Sequence, residues 1–391
     1  MKSPLRLVAF AALFPALSFA VYAPIPEQDQ GKALSYRLGA SVSHDSNIFG
    51  AATAEIDSVV YSVTPSISYN GSLDDQTFLS ASYDLSLDHF VDRPGKKNLT
   101  SHTVTARIAH AFSSTSNIDV SDSYQISKNP QSLLAGLPLN TDQSFKMNQF
   151  NARFVTALNP KTILTLKYRN LDFAYDLASL AAQLDRMEHL AGLEAAFSLL
   201  PETKLVGEYR YQNVGYSQGS ASKDKRSHFF LAGADHNPNQ KLTLSARAGL
   251  EDRTREGESD TTAPYAELST RYAYSDSSFV AAGYVYTLEE ASDVLRFTDT
   301  KVNRFFVNVQ HRLTPLISAS GSVTWEPSQL QGRAGVADVD ETTSRVGFAL
   351  SWLPTKNWVV SATIDSDQVN SDDPSREQDR TRYGVSARFS F

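Results

Sequence analysis

The chain of 391 residues contains no cysteine and carries fewer basic than acidic side chains. The absence of cysteine excludes a disulfide-stabilised scaffold, a lipoprotein anchored through cysteine, and catalysis by a thiol. A formal charge of −7 argues against a nucleic-acid partner. Beyond the first twenty residues there is also no run of about eighteen apolar residues, the length that a spanning helix needs.

The first twenty residues, "MKSPLRLVAFAALFPALSFA", combine two basic residues, an apolar core and the small-x-small ending of Ser18, Phe19 and Ala20. This pattern predicts a secretory signal peptide over residues 1–20. A buried N-terminal helix is the weaker alternative, because the run has no polar face. The prediction continues with a short periplasmic segment over residues 21–31 and a barrel over residues 32–391.

Alternation between apolar and polar residues runs through the rest of the chain. In "RYGVSARFSF", residues 382–391, Tyr383, Val385 and Ala387 alternate with Arg382 and Gly384. Period two is the signature of a β-strand, and about eighteen such strands recur, separated by eight short turns and nine longer loops. A propeller would need four short strands per repeat, and a sandwich would not need so many long ones. The pattern predicts an all-β fold, a transmembrane antiparallel up-and-down β-barrel in the bacterial outer membrane.

The two faces of these strands differ in chemistry. One face is apolar and rich in aromatic residues, and we expect it to contact outer-membrane lipid. The other face is polar and suits a water-filled lumen. The predicted pore-lining residues are Arg107, Lys167, Arg169, Glu208, Arg210, Arg247, Arg304, Arg345, Arg382 and Arg388. Their basic members either attract anions or pair with acids on neighbouring strands, and pairing is the favoured alternative.

Catalytic signals are weak. The chain has eight histidines, including the neighbours Asp88-His89 and Asp235-His236. Adjacent strand residues point to opposite faces, so neither pair forms a dyad within one strand. No metal-ligand spacing, phosphate loop or nucleotide motif appears. The sequence therefore predicts a protein that is not an enzyme and that has no cofactor.

Two short segments carry a family resemblance. The segment "SVSHDSNIFG", Ser41 to Gly50, resembles the outer-membrane β-barrel porin-2 type family, and "ARFSF" resembles the C-terminal signature that the barrel assembly machinery recognises. The resemblance implies assembly signals at Phe389 and Phe391, a link to exopolysaccharide export, and polysaccharide and periplasmic export partners. Independently of the family, Asp45 and Asn47 are typical of side-chain turns at a strand end.

Together these features predict an outer-membrane barrel with an aqueous pore, which the resemblance links to exopolysaccharide export. The alternatives are a general diffusion porin for small solutes and a plugged structural or adhesive barrel. The segment "NPQSLLAGLPLNTDQSF", from Asn129 to Phe145, is the strongest candidate for a constriction, because its leucines are unusual in a fully solvated loop. A surface lid or a partner contact would explain them equally well.

Overall fold

A computed structural model of the chain describes residues 33–136, 141–217 and 223–391. The predicted signal peptide and periplasmic segment lie outside the described residues. The strands are β1 Leu34–Asp45, β2 Ser58–Ser72, β3 Thr77–Phe90, β4 Asn98–Ser113, β5 Ser116–Ser127, β6 Phe145–Asn159, β7 Thr162–Tyr175, β8 Arg186–Leu200, β9 Thr203–Tyr216, β10 Lys225–Asn239, β11 Leu242–Arg255, β12 Thr261–Ser275, β13 Ser278–Glu290, β14 Phe297–Thr314, β15 Ile317–Gly332, β16 Val339–Thr355, β17 Trp358–Ser371 and β18 Gln378–Ser390. One short helix, α1, covers Ala178–Leu184.

The eighteen strands form one closed antiparallel sheet in which each strand pairs with its neighbours in the chain. Closure occurs between β1 and β18, where Arg37 lies opposite Ser390 and Asp45 lies opposite Arg382. Beyond β18, the backbone N–H of Phe391 donates to the carbonyl oxygen of Tyr36 at 2.9 Å. Closure satisfies the backbone groups that a sheet edge would expose to lipid. The predicted fold class is confirmed.

Connections alternate between the two ends of the barrel. Eight turns of two to four residues join strands at one end, and nine loops of five to seventeen residues join them at the other. Asparagine side chains stabilise several turns. The Oδ1 atom of Asn159 accepts from the N–H of Lys161 at 2.9 Å, and that of Asn239 accepts from the N–H of Lys241 at 2.9 Å. The predicted asymmetry of turns and loops is confirmed.

The outward face is an apolar belt bounded by aromatic side chains. Leucine, valine and phenylalanine side chains of the belt are strongly exposed, with Val346 and Phe348 each 50% exposed. Toward the loop end, the rings of Tyr284, Phe305 and Trp325 follow one another at centroid distances of 4.7 and 5.4 Å. Exposed apolar side chains in this arrangement belong in hydrocarbon, with aromatic rings at its boundary. Among the described residues, no helix is long and apolar enough to span a bilayer.

Helix α1 lies in the loop between β7 and β8, where strand alternation predicts no helix. The segment "ASLAAQL" consists largely of strong helix formers. Leu180, Ala181 and Leu184 are buried, and the Nζ atom of Lys223 donates to the carbonyl oxygen of Ala182 at 3.0 Å. The helix is stabilised by this tertiary packing, which the strand periodicity of the chain does not reveal.

Candidate pore and its constriction

Contacts between distant strands identify the polar face as the inner face. Arg210 in β9 donates to the hydroxyl of Tyr265 in β12 at 3.2 Å. The hydroxyl of Tyr216 in β9 donates to Glu290 in β13 at 2.6 Å. Neighbouring strands lie about 4.7–4.9 Å apart, so side chains three or four strands apart meet only on the concave side of the wall. The polar face therefore surrounds the lumen.

All ten residues predicted to line the pore lie on this face, and nine of them take part in the ion pairs described here. The pairs are Arg107 with Asp119 at 2.8 Å, Lys167 with Glu194 at 2.7 Å and with Glu208 at 3.0 Å, Arg169 with Glu188 at 3.9 Å, Arg210 with Glu208 at 2.8 Å, Arg247 with Asp235 at 2.9 Å, Arg304 with Glu326 at 2.5 Å, Arg345 with Asp367 at 3.9 Å, and Arg382 with Asp367 at 3.0 Å. Arg388 lies on the same face of β18 as Arg382. Apart from Arg210 with Glu208, which are both on β9, these pairs join different strands, so the structure shows the favoured cross-strand pairing. A role of these residues in conduction stays a prediction.

One side of the lumen, the inner face of β7 to β14, is a charged wall. Glu208 is at its centre, 3.0 Å from Lys167 and 2.8 Å from Arg210. Nearer the loop end, Arg253 contacts both Glu251 and Asp299. Glu208, Glu251 and Arg253 are 5%, 1% and 2% exposed. The long charged side chains on this wall are paired with one another, because buried charges need partners to offset their desolvation.

Most of the remaining inner face, over β15 to β18 and β1 to β5, is dominated by serine and threonine, and we call it the hydroxyl wall. Its hydroxyls bond to one another, as between Ser82 and Thr105 at 2.7 Å and between Ser351 and Ser361 at 2.9 Å. The partly exposed members on β2 to β4 include Ser62, Ser66, Ser80, Ser82, Ser86, Ser101, Thr103 and Thr105. Because these side chains are shorter than the arginine, lysine and glutamate side chains of the charged wall, we expect more open space next to this wall.

Residues 128–136 and 141–144 form a cross-mouth segment between β5 and β6. The Nη1 atom of Arg380 in β18 donates to the carbonyl oxygens of Pro130 and Gln131 at 3.1 and 3.3 Å. Farther along, the carbonyl oxygen of Ala135 accepts from Ser292, in the loop after β13, at 3.4 Å. Because β13 is eight strands from β5 in an eighteen-stranded ring, the segment crosses the mouth. The described residues of the segment thus cover the mouth, as either the predicted constriction or a surface lid would, and Leu137 and Leu139 lie outside the described residues.

The "HDSNIFG" segment anchors the closure between β1 and β18. Arg380 donates from Nε and Nη2 to the carboxylate of Asp45 at 3.0 and 2.5 Å. The side chain of Asn47 donates to the carbonyl oxygens of Ala51 at 2.9 Å and Asp379 at 3.0 Å, and it accepts from the N–H of Ala51 at 2.9 Å. We call Asp45, Asn47 and Arg380 the seam clasp. The predicted side-chain turn is confirmed by the bond from the N–H of Asn47 to Asp45 at 3.2 Å.

Apolar packing completes the same region. Ile48 and Phe49 are buried in a cluster with Val60, Phe90 and Leu99. Sequence reasoning did not single out Arg380, which is 1% exposed and joins the clasp to the cross-mouth segment. The available signal was its position two residues before Arg382, on the same face of the strand.

The two Asp-His neighbours are separated by the barrel wall, as predicted. Asp88 accepts from the hydroxyl of Ser62 at 2.6 Å inside the barrel, while His89 contacts Asn98 at 2.7 Å outside. Asp235 pairs with Arg247 inside, and outside the Nδ1 atom of His236 lies 2.8 Å from the hydroxyl of Thr203. Neither neighbour pair forms a dyad.

Phe389 and Phe391 lie on the outer face at the turn end. Their rings are 4.7 Å apart, and the ring of Phe389 is 5.0 Å from that of Trp358. This position fits an aromatic girdle at a membrane boundary. Recognition of the two residues by the barrel assembly machinery stays a prediction.

Comparisons with known proteins bear on the fold. No protein-family model matches the chain, and no curated protein matches it. Among solved structures, it is similar to Pseudomonas aeruginosa OccK2 (OpdF), with a TM-score of 0.50 and 12% identity over 92% of this chain and 98% of that one. Pseudomonas aeruginosa OpdK, solved with vanillate, also gives 0.50, with 13% identity over 92% and 99%. At these identities the similarity shows the fold alone.

The fold is that of an outer-membrane porin barrel. Its closed sheet and its outward apolar belt place the chain in the bacterial outer membrane.

Proposed function

We propose that this barrel forms an aqueous passage that lets small polar solutes diffuse across the outer membrane without chemical change. The supporting observation is the asymmetry of the inner face. The charged wall is filled by paired side chains, whereas the hydroxyl wall has short, partly exposed side chains such as Ser82 and Thr105. Water and solute therefore pass along the hydroxyl wall, beneath the cross-mouth segment that narrows the entrance.

Neutral or weakly charged hydrophilic molecules are the solutes that suit this passage. Hydroxyl groups both donate and accept hydrogen bonds, so a polar solute exchanges bonds to water for bonds to the wall at little cost. The cations of the charged wall face carboxylates, as Lys167 and Arg210 face Glu208. Such pairing reduces the net pull on anions that unpaired arginines would exert.

Export of exopolysaccharide is the finer function that the family resemblance implies. That resemblance rests mainly on the segment containing Asp45 and Asn47, whose side chains hold the seam clasp. The passage proposed here does not depend on polysaccharide export, which needs its own test. Deletion of the gene should reduce surface polysaccharide if export is the function, and unchanged surface polysaccharide would contradict it.

Planar-bilayer conductance and liposome swelling test the aqueous passage. Folded protein, recognised by its heat-modifiable mobility in electrophoresis, should give stepwise currents and should let small neutral sugars enter liposomes. A deletion of residues 131–136 that retains folding should increase the step size, because it removes part of the cross-mouth segment. Well-folded wild-type protein without currents or swelling would favour the plugged structural barrel instead.

A further inference from the structure

A polar groove lies on the outer surface of the barrel, separate from the passage. Its volume is about 570 Å³, within the range of about 300–1,000 Å³ typical of ligand sites. It crosses β13 to β17 near their loop ends. By strand alternation, most of the strand residues that line it occupy outward positions, among them Tyr286, Lys301, Asn303, Gln329, Asp340, Thr342 and Asn370.

The aromatic rings next to the groove indicate its level relative to the membrane. Asn303 is two residues from Phe305 on β14, and Pro327 is two residues from Trp325 on β15. The hydroxyl of Tyr284 donates to Oδ1 of Asn303 at 3.0 Å, so ring and groove are in direct contact. Aromatic girdles mark the boundary between hydrocarbon and head groups. The groove therefore begins where the outer-leaflet head groups begin.

The lining chemistry favours a polyhydroxylated ligand. The amides of Asn303 and Asn370 and the hydroxyl of Thr342 supply both donors and acceptors. The Nζ atom of Lys301 donates to Gln329 at 3.5 Å, and Gln329 donates to Asp340 at 3.1 Å. These three hydrogen-bonded side chains extend the polar surface toward the loops.

The charge of the groove indicates which kind of polar ligand it can bind. Four acidic residues border the groove, Asp340, Glu341, Asp372 and Glu377, against the single ammonium group of Lys301. The carboxylate of Glu341 is paired with Arg376 at 2.8 Å, which leaves three without that partner. Such an excess of negative charge disfavours a bare phosphate and leaves neutral sugar hydroxyls favoured. We propose that this groove binds the sugar head group of an outer-leaflet glycolipid. The ring of Tyr286 offers an apolar face on which a sugar ring can pack.

Binding of the folded barrel to two kinds of detergent micelle tests the proposal. One kind contains rough-type lipopolysaccharide, which carries sugars and phosphates, and the other contains phosphatidylglycerol, which carries phosphate without these sugars. Wild-type protein should bind the lipopolysaccharide micelles more tightly. The double variant Asn303→Leu/Asn370→Leu should weaken that binding about tenfold, as expected for loss of two amide contacts. Thr342→Trp, which fills the groove, should weaken it at least as much.

Outward amides away from the groove provide the matched control. Asn148 on β6 and Asn213 on β9 are outward residues on the loop side, and the double variant Asn148→Leu/Asn213→Leu should bind like wild type. Equal affinity of the groove variants and the control for lipopolysaccharide would overturn the proposal. Equal binding of wild type to both kinds of micelle would also overturn it, because recognition would then not involve the sugars. Heat-modifiable mobility should show that every variant compared is folded.

Discussion

The charged wall and the hydroxyl wall are parts of one sheet, yet they differ in what their side chains do. On the charged wall, Glu208 and Arg253 are almost fully buried, and each makes two ionic contacts. On the hydroxyl wall, Ser82 and Thr105 are partly exposed and bond mainly to one another. Because serine and threonine side chains are shorter than the paired arginine, lysine and glutamate side chains of the charged wall, we expect the proposed passage to lie beside the hydroxyl wall.

The largest expected effect concerns the ion pair of the seam clasp, Arg380 with Asp45, which is buried at the loop end of the hydroxyl wall. Arg380→Ala should destabilise the barrel by about 3–5 kcal/mol, because it leaves the carboxylate of Asp45 buried without a partner. Equilibrium unfolding in urea measures the change. Thr381→Ala, an outward substitution on the same strand, should stay close to wild type. Equal stability of Arg380→Ala and wild type would show that the clasp does not hold the seam.

Removing one carboxylate from the charged wall should change the free energy of unfolding more than the single-channel conductance. Glu208→Ala removes the shared partner of Lys167 and Arg210 and should cost about 2–3 kcal/mol in the free energy of unfolding. Single-channel conductance of the folded variant should change little, because solute passes along the other wall. A large change in conductance with unaltered stability would reverse the assignment of the two walls.

Removing one hydroxyl should have a smaller effect. Ser82→Ala deletes the hydrogen bond to Thr105, which should cost about 1 kcal/mol or less since the group is partly hydrated. Urea unfolding of this variant beside Glu208→Ala compares the two walls directly. A loss as large as that of Glu208→Ala would contradict the distinction between them.

The smallest expected effect is a loss of stability in the loops around Asp373 at low pH. The hydroxyl of Ser375, and then the guanidinium group of Arg296, lower the pKa of Asp373. A lowered pKa in the folded state stabilises the loops above the ordinary carboxyl pKa and ceases to do so as pH falls through the folded value. Limited proteolysis of these loops should therefore increase below about pH 4, and more weakly in Asp373→Asn, which has no carboxylate to protonate. Identical pH profiles would contradict this role for Asp373.

Strand alternation explains why much of the fold was predictable. The pattern of Tyr383, Val385 and Ala387 against Arg382 identifies the outer and inner faces, and the same pattern in eighteen segments predicts the closed sheet. Cross-strand pairing of the charges also follows, because acids and bases occur on the same face.

Contacts between distant parts of the chain were not predictable in the same way. The bond from Ser292 to Ala135 depends on which loops meet across the mouth, and strand periodicity carries no information on that. The division of the lumen into two walls likewise requires the curvature of the sheet, which brings Arg210 and Tyr265 together. Helix α1 was not predictable from strand alternation, because its stability comes from the burial of Leu180 and Leu184 against the rest of the protein.

The central claim, that solute passes along the hydroxyl wall, is tested most directly by two tryptophan substitutions on adjacent residues of β3. Ser82 faces the lumen, and Ala81 faces lipid. Single-channel conductance should fall markedly in Ser82→Trp and stay at the wild-type value in Ala81→Trp, with both variants showing heat-modifiable mobility. Unchanged conductance in Ser82→Trp would contradict a passage along this wall.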